Sequence, residues 1–318
     1  MAFLEINSLH KSYQPGNAVL KNFSLTLEKG QRTAVVGESG SGKSTLLRIV
    51  AGLENRDSGE VFLNGHRVQN AKEKLVPGND EIQLVYQDFH LYPNSSVAEN
   101  IERPLLQYDK TYRQQRARFV IGLLGLEEFR DKLPRQLSGG QQQKVAIGRA
   151  LSVEPCLLLL DEPFSSLDGI QRRELIAELK EMFQDLGITV LFVTHDLDDA
   201  LQMSKDLVIL QKGRFIQRGK PEDIFEHPKN LYSAKLFSHL NPVPEKEKTY
   251  VRPSDVQLFK SSGIPARIME KQYLVHYNQL SVKLPNGTSW LIEDKKRIFE
   301  EGEKVFLKWE TGKEIGPL

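Results

Sequence analysis

The stretch Gly37-Glu38-Ser39-Gly40-Ser41-Gly42-Lys43-Ser44-Thr45 constrains this chain more than any other. It matches the pattern G-x-x-x-x-G-K-[ST]. It stands between an apolar run, Arg32-Thr33-Ala34-Val35-Val36, and a helix-forming one, Leu46-Leu47-Arg48-Ile49-Val50-Ala51. A buried strand, a glycine-rich loop and a helix in that order make a cradle for phosphate. The glycines let the backbone turn sharply and present its N–H groups with no Cβ in the way, and the helix start adds unpaired N–H groups and the positive end of its dipole. In such a loop Lys43 reaches the β- and γ-phosphates of a nucleotide and the Ser44 hydroxyl ligates Mg²⁺.

The segments around this loop read as alternating strands and helices. Phe3 to Leu9 and Val19 to Leu27 alternate about a turn at Gln14-Pro15-Gly16-Asn17, with Tyr13 just before it. Gly59 to Gly65 reads as a strand ending in an Asn-Gly turn, and Ile82 to Tyr86 as a strand running into Gln87. From about Val97 to Gln136 the pattern is helical and polar, a helical insert. Leu137-Ser138-Gly139-Gly140-Gln141 then enters a helix, either a plain N-cap or a second place for an anion. Leu157-Leu158-Leu159-Leu160 reads as a buried parallel strand that delivers Asp161 and Glu162 to its C-terminal end, where ligands collect in such sheets. A helix over about Gly169 to Leu186 leads to the strand Thr189–Thr194, with His195 and Asp196 at its end. The alternation predicts a mostly parallel, helix-covered sheet.

After Leu207–Leu210 and helices near Pro221–Phe225 and Leu231–Phe237 the texture changes. Asn241-Pro242-Val243-Pro244-Glu245-Lys246-Glu247-Lys248 reads as a linker. Beyond it come short candidate strands: Val256–Phe259, Ala266–Met269, Tyr273–Tyr277, Leu280–Leu284, Ser289–Ile292 and Lys304–Trp309. Together they predict a small all-β domain.

With 43 basic and 42 acidic residues among 318, and no block of like charge, the chain gives no electrostatic case for nucleic acid as its main partner. Its one cysteine, Cys156, cannot form an internal disulfide and reads as a small packed hydrophobe, consistent with a reducing compartment. No apolar run approaches the length of a membrane span and the start shows no signal-peptide pattern, so any membrane connection is expected through a partner.

Taken together and in this order, the motifs resemble those of the ATP-binding subunit of an ABC transporter over residues 1 to 240. Gly37–Thr45 matches the Walker A motif, Leu157–Asp161 the Walker B motif and Leu137–Gln141 the family signature. Gln87 matches the Q-loop, Ser165-Ser166-Leu167-Asp168 the D-loop and His195 the switch histidine. The resemblance implies an α/β fold, a P-loop NTPase of ABC type. It would have an antiparallel β subdomain and a helical insert at about 90–150. A small OB-like all-β domain over 241–318 would follow, since Val251-Arg252-Pro253-Ser254-Asp255-Val256 is similar to an opening common in importer regulatory domains.

It also implies ATP and Mg²⁺ as cofactors. Tyr13 would stack on adenine, and Gly37, Ser39, Gly40, Ser41, Gly42, Lys43, Ser44 and Thr45 would hold the phosphates. Ser138, Gly139, Gly140 and Gln141, with Asp168, would close over the ATP of a second copy facing head to tail. Ser44, Gln87 and Asp161 would organise Mg²⁺. Glu162 would be the general base, and His195, Lys43 and Gln87 would complete the catalytic set.

The implied partners are a second cassette, two transmembrane permease subunits and, indirectly, a solute-binding protein, with no nucleic acid. The implied place is the cytoplasmic face of the membrane. Three positions depart from the usual pattern: Lys144 where Arg is common, Gly148 for a small Ala at about 1 kcal/mol of helix propensity, and Ser166 for Asn. Two rival readings exist. A soluble ABC ATPase of ribosome or DNA usually carries two cassettes or a long coiled coil, which are missing here. A phosphate-loop kinase would leave Leu137–Gln141 without use.

Overall fold

The computed structural model describes residues 2–316, and the chain divides into two compact units after Pro221. The first unit opens with β1 (Leu4–Gln14) and β2 (Asn17–Leu27), then β3 (Arg32–Val36) and α1 (Lys43–Val50). β4 (Ser58–Leu63), β5 (His66–Arg67) and β6 (Ile82–Val85) follow. Next come α2 (Val97–Glu102), α3 (Lys110–Leu123), α4 (Gly139–Leu151) and β7 (Leu157–Asp161). The unit closes with α5 (Gly169–Asp185), β8 (Thr189–Thr194), α6 (Leu197–Met203), β9 (Asp206–Gln211) and β10 (Arg214–Gly219).

Two sheets result. An antiparallel one has the order β2-β1-β4-β5, and Asn64 and Gly65, both at positive φ, make the tight turn between its last two strands. The other has the order β10-β9-β3-β8-β7-β6 and is parallel except for the β10–β9 pair. Every residue of β7 and β8 is buried, as strands covered on both faces require. One core joins both sheets to α1 and includes Ile6, Phe23, Val35, Leu47, Val61 and Leu159. Each such side chain contributes roughly 2 kcal/mol of burial.

Cys156 corrects a sequence expectation. It lies just before β7 begins and is exposed rather than packed with the leucines. Gly148 is explained by packing. A Cβ there would sit 2.8 Å from the Leu124 side chain and 3.2 Å from those of Ile101 and Val120. An alanine in α4 therefore requires the side chains it meets from α2 and the end of α3 to shift.

The second unit holds α7 (Pro221–Glu226, beginning at the division) and α8 (Leu231–Phe237), then β11 (Asn241–Pro242) and β12 (Tyr250–Val251). Its main sheet is antiparallel, with β13 (Gln257–Phe259), β14 (Ile264–Tyr273), β15 (Asn278–Lys283), β16 (Ser289–Asp294) and β17 (Lys304–Lys308) in the order β13-β17-β14-β15-β16. Its core gathers Ile268, Leu280, Val282, Trp290, Ile292 and Val305.

Two expectations change here. Ala266–Met269 and Tyr273–Tyr277 are not two strands. β14 runs unbroken through Tyr273, because Glu270-Lys271-Gln272 holds no turn residue, and Leu274 to Tyr277 form the turn. The Pro- and charge-rich stretch is anchored at its start. Asn241 is fully buried, and its amide both donates to the Leu291 carbonyl (2.7 Å) and accepts from the Leu291 N–H (2.9 Å).

Candidate active site

β3, β8 and β7 lie side by side and parallel, so the loops that leave their C-terminal ends meet at one edge of the sheet. The loop after β3 is the one whose sequence matches a phosphate cradle. It enters α1 through Gly42 at φ 104°, where a Cβ would sit 2.6 Å from the Val19 carbonyl oxygen, so only glycine fits. Lys43, buried, donates through Nζ to the carbonyls of Gly37 (2.8 Å) and Glu38 (3.0 Å), which curls the loop around its own lysine. Burial pulls the Lys43 ammonium down, while the Glu162 and Asp161 carboxylates pull the other way. Ser41 Oγ is buried and, among the described residues, has no hydrogen-bond partner. A phosphate oxygen is the acceptor such a hydroxyl lacks. Gly37 is buried in the loop, and Ser39 and Gly40 are exposed at its tip.

β7 delivers the carboxylates. Asp161 is buried and accepts from the Ser44 hydroxyl at 2.8 Å. Desolvation pushes the Asp161 carboxyl up, with the Ser44 bond opposing it. A carboxylate and a hydroxyl in one buried corner are the hard oxygen donors that Mg²⁺ takes together with water and phosphate, so the residues fit that ion. Glu162 follows at φ 46°, a left-handed conformation that costs a non-glycine residue on the order of 1–3 kcal/mol and clusters at functional sites. The kink turns its carboxylate across the edge. One oxygen lies 3.7 Å from Lys43 Nζ and the other 2.8 Å from His195 Nδ1, at the end of β8.

Gln87 follows β6 and joins the network indirectly. Its amide donates to Ser165 Oγ (3.3 Å), and Ser165 Oγ donates to the Glu162 carbonyl (3.0 Å). Its link is to Ser165; among the described residues no hydrogen bond joins it to Ser44 or Asp161. Tyr13, half exposed, reaches the rim of the loop, with its hydroxyl 3.4 Å from Thr45 Oγ1 and donating to Glu54 at 3.3 Å.

The remaining expected residues stand apart. Ser138 caps α4, accepting from Gln141 N–H, while the Gln141 side chain accepts from Ser138 N–H, a reciprocal capping box. Gly139 and Gly140 lie against Leu167, and Asp168 is engaged in capping α5 through Ile170 and Gln171 N–H. Among the described residues no hydrogen bond ties Ser138–Gln141 to the phosphate loop of the same chain.

Three residues that pattern reading missed hold this arrangement. Arg149, near the far end of α4, donates to the carbonyls of His90 (2.5 Å) and Phe89 (3.0 Å), both at positive φ just after Gln87. Arg172 of α5 forms a bidentate pair with buried Asp199 at 2.5 Å and a bond of 2.8 Å to Asp196, the neighbour of His195. Lys11, buried, pairs with Glu54 at 2.9 Å and lies 4.8 Å from the centre of the Tyr13 ring. Only the arginines inside the signature and D-loop helices carried a signal, as charges placed one or two turns beyond a motif.

Comparison with known proteins gives consistent likenesses. A family described as "ABC transporter" matches residues 20–165. The chain is 40% identical over 225 residues to the spermidine/putrescine import ATP-binding protein PotA of Thermotoga maritima, covering 70% of this chain and 60% of that protein. It is 35% identical over 323 residues to the sulfate/thiosulfate import ATP-binding protein CysA of Nephroselmis olivacea, covering 95% of this chain and 92% of that protein. It is 32% identical over 360 residues to PotA of Pasteurella multocida, covering 98% and 96%. Among solved structures, a dimeric post-hydrolysis ATP-binding cassette bound to ADP and Pi matches with TM-score 0.60 at 33% identity, over 68% of this chain and 98% of that one. CbiO1 of Clostridium perfringens, part of the transporter complex cbiONQ, matches with TM-score 0.65 at 28% identity, over 74% and 95%.

Proposed function

The chain belongs to the ABC transporter family as an ATP-binding subunit of the import kind, an ATPase, and from that premise we propose how its residues act. Two copies face head to tail, so that the backbone of Ser138–Gln141 in one closes over the ATP held by the phosphate loop of the other. Each signature is thus half of a phosphate site completed by a second chain, which is why, among the described residues, its helix start makes no hydrogen bond to its own loop.

Within one copy, Lys43, Ser41 and the loop amides bind and neutralise the terminal phosphates, and Tyr13 stacks on the adenine. Ser44 and Asp161 hold Mg²⁺, with Gln87 at its outer side; the ion, when bound, neutralises charge on the phosphate oxygens. Glu162 accepts the proton of the attacking water, and His195, through the bond it already makes to that carboxylate, fixes its direction. Phosphoryl transfer needs mainly positioning and charge neutralisation, and this set supplies both.

The observation that carries the reading is the continuous path Lys43–Glu162–His195 beside the Ser44–Asp161 pair, assembled from three adjacent strands. Hydrolysis in the dimer powers solute import through two permease subunits at the inner face of the membrane, fed by a solute-binding protein. Among the described residues no helix is long and apolar enough to cross a membrane itself. The named relatives point to polyamines or sulfate as cargo classes.

The test is a pull-down of the tagged chain from gently solubilised membranes, paired with an ATPase assay. Two polytopic membrane proteins among the captured chains, and hydrolysis that Glu162→Gln removes, are expected. Ribosomal or DNA-repair proteins with no membrane chain would overturn the transport role, and hydrolysis unaffected by the substitution would overturn the assigned base.

A further inference from the structure

Tyr13 stands at the end of β1, half exposed, and its ring is held by a pair of charges that the ATPase chemistry does not use. Lys11, buried, donates through Nζ to Glu54 Oε1 at 2.9 Å, and the Asn55 N–H donates to the same oxygen at 2.8 Å. That leaves Glu54 Oε2 for the Tyr13 hydroxyl, which donates to it at 3.3 Å and lies 3.4 Å from Thr45 Oγ1. Among the described residues the Tyr13 side chain makes no other hydrogen bond. Burial pushes the Glu54 carboxyl up, but the bonds it accepts, from Lys11 foremost, bring it below its ordinary value, so the acceptor is an anion at neutral pH.

The pair acts on the ring in two ways. The Lys11 ammonium lies over it, 4.8 Å from its centre, so a cation takes one face and a flat base can meet only the other. Glu54, in turn, is tied to the helix that follows the phosphate loop. Its N–H and that of Leu53 donate to the Arg48 carbonyl near the end of α1, at 3.2 and 2.8 Å. The hydroxyl therefore fixes the ring to α1 at two places, Thr45 in the first turn and Glu54 beyond the last.

We propose, on the reading above that Tyr13 stacks on the adenine, that Lys11 and Glu54 are positioning residues for the base. They hold the ring at the height and tilt at which a purine reaches it while the phosphates of the same nucleotide lie in the loop. A pair that only stapled β1 to the segment after α1 would support the phosphate loop as a whole. It would then act equally on a ligand with a base and on one without.

The test compares ATP with inorganic tripolyphosphate, which offers the loop a triphosphate and no base. Both are measured on the full chain without Mg²⁺, so that nothing is hydrolysed, by displacement of a ribose-labelled fluorescent ATP analogue. Lys11→Met/Glu54→Leu replaces the pair as a unit with apolar side chains of similar size and strands no charge. It is expected to weaken ATP about 3- to 5-fold and to leave tripolyphosphate unchanged. Tyr13→Ala is expected to weaken ATP by about 10-fold or more, as loss of a stacking surface does. In that background the paired replacement is expected to add nothing.

Equal weakening of ATP and tripolyphosphate overturns the proposal in favour of a structural staple. So does an unchanged ATP affinity, or the same loss in the Tyr13→Ala background. Each of these outcomes leaves the stacking of adenine on Tyr13 intact. Tyr13→Ala that binds ATP as the parent does overturns the stacking itself, and the positioning role with it. Should the paired replacement not fold, Tyr13→Phe carries the test, since it keeps both charges and removes only the hydroxyl. About a twofold loss for ATP alone is then expected, and no loss overturns the proposal.

Discussion

The two units treat charge in opposite ways. At the edge of the parallel sheet, cation and anion are paired: Lys43 beside Glu162, and Arg172 between Asp196 and Asp199. These groups are largely out of water, where an unpaired charge is costly, so each has its partner. On the outer face of the β unit, Arg267 of β14 stands directly opposite Lys283 and Lys304 on the flanking strands. The three share one sign and are exposed to solvent, where repulsion is weak enough to persist. Burial forces neutrality within the chain. Exposure lets a fold leave like charges to the solvent.

The largest effect expected concerns the buried set. Glu162→Gln keeps shape and removes the proposed proton acceptor, so the ATPase rate should fall by roughly 10²–10⁴ with ATP binding kept. Turnover by the purified protein and binding of a fluorescent ATP analogue check the two halves. A variant that lost binding as well would mean that the Lys43–Glu162 contact holds the loop together rather than serving the reaction.

Next in size is Arg172. Arg172→Ala strands the buried Asp199 carboxylate and should destabilise the first unit by about 3 kcal/mol in urea unfolding. Burial already pushes the Asp199 carboxyl up, with Arg172 holding it back, so losing the arginine moves it higher. A carboxyl raised in the folded state penalises folding when ionised. The deficit should therefore be greatest near neutral pH and shrink as pH falls through the raised folded-state value. Arg172→Ala/Asp199→Asn should recover most of the loss. A deficit independent of pH would assign it to packing of the side chain instead.

Arg149→Ala is expected to cost less, about 2 kcal/mol for two charge-assisted bonds to backbone carbonyls. Because those carbonyls follow Gln87, turnover should fall several-fold while Lys43-dependent ATP binding is kept. Hydrogen exchange over 86–92 should rise. Unchanged exchange there would show that the loop keeps its positive-φ conformation without the arginine.

Legibility in the sequence divides along the same line as charge. The phosphate loop, the carboxylates after Leu157–Leu160 and His195 could be read because each lies in a contiguous pattern at a strand end, and strand order alone brings them together. Arg149 and Arg172 could not be read for role, since what they grip depends on where α4 and α5 pack. The cluster of Arg267, Lys283 and Lys304 was invisible for a stronger reason. The three are far apart in sequence, and a one-residue change of register would send any of them to the buried face. Cys156 failed because an apolar run does not say at which residue the strand begins. The merged strand Ile264–Tyr273 failed because two short apolar segments with a polar gap look alike whether the gap turns or continues.

The smallest expected effect lies in the β unit, where one pair does follow the rule of the buried site. Glu314 accepts from Lys246 Nζ (2.7 Å) and from Trp309 Nε1 (3.0 Å). The Lys246 bond, then the Trp309 bond, hold its carboxyl below the ordinary 4.5. A carboxyl depressed in the folded state stabilises above its unfolded value, and that contribution is lost as pH falls through the folded one. Acidification below pH 4.5 should therefore shift Trp309 emission as Glu314 takes up a proton and releases its donors. Glu314→Gln should remove that transition, while Lys283→Gln/Lys304→Gln should leave it in place, because neither lysine is among the donors to Glu314. If both variants removed it, the paired carboxylate and the unpaired cations would be one coupled system, and the contrast between the two ways of handling charge would hold between the units but not within the second.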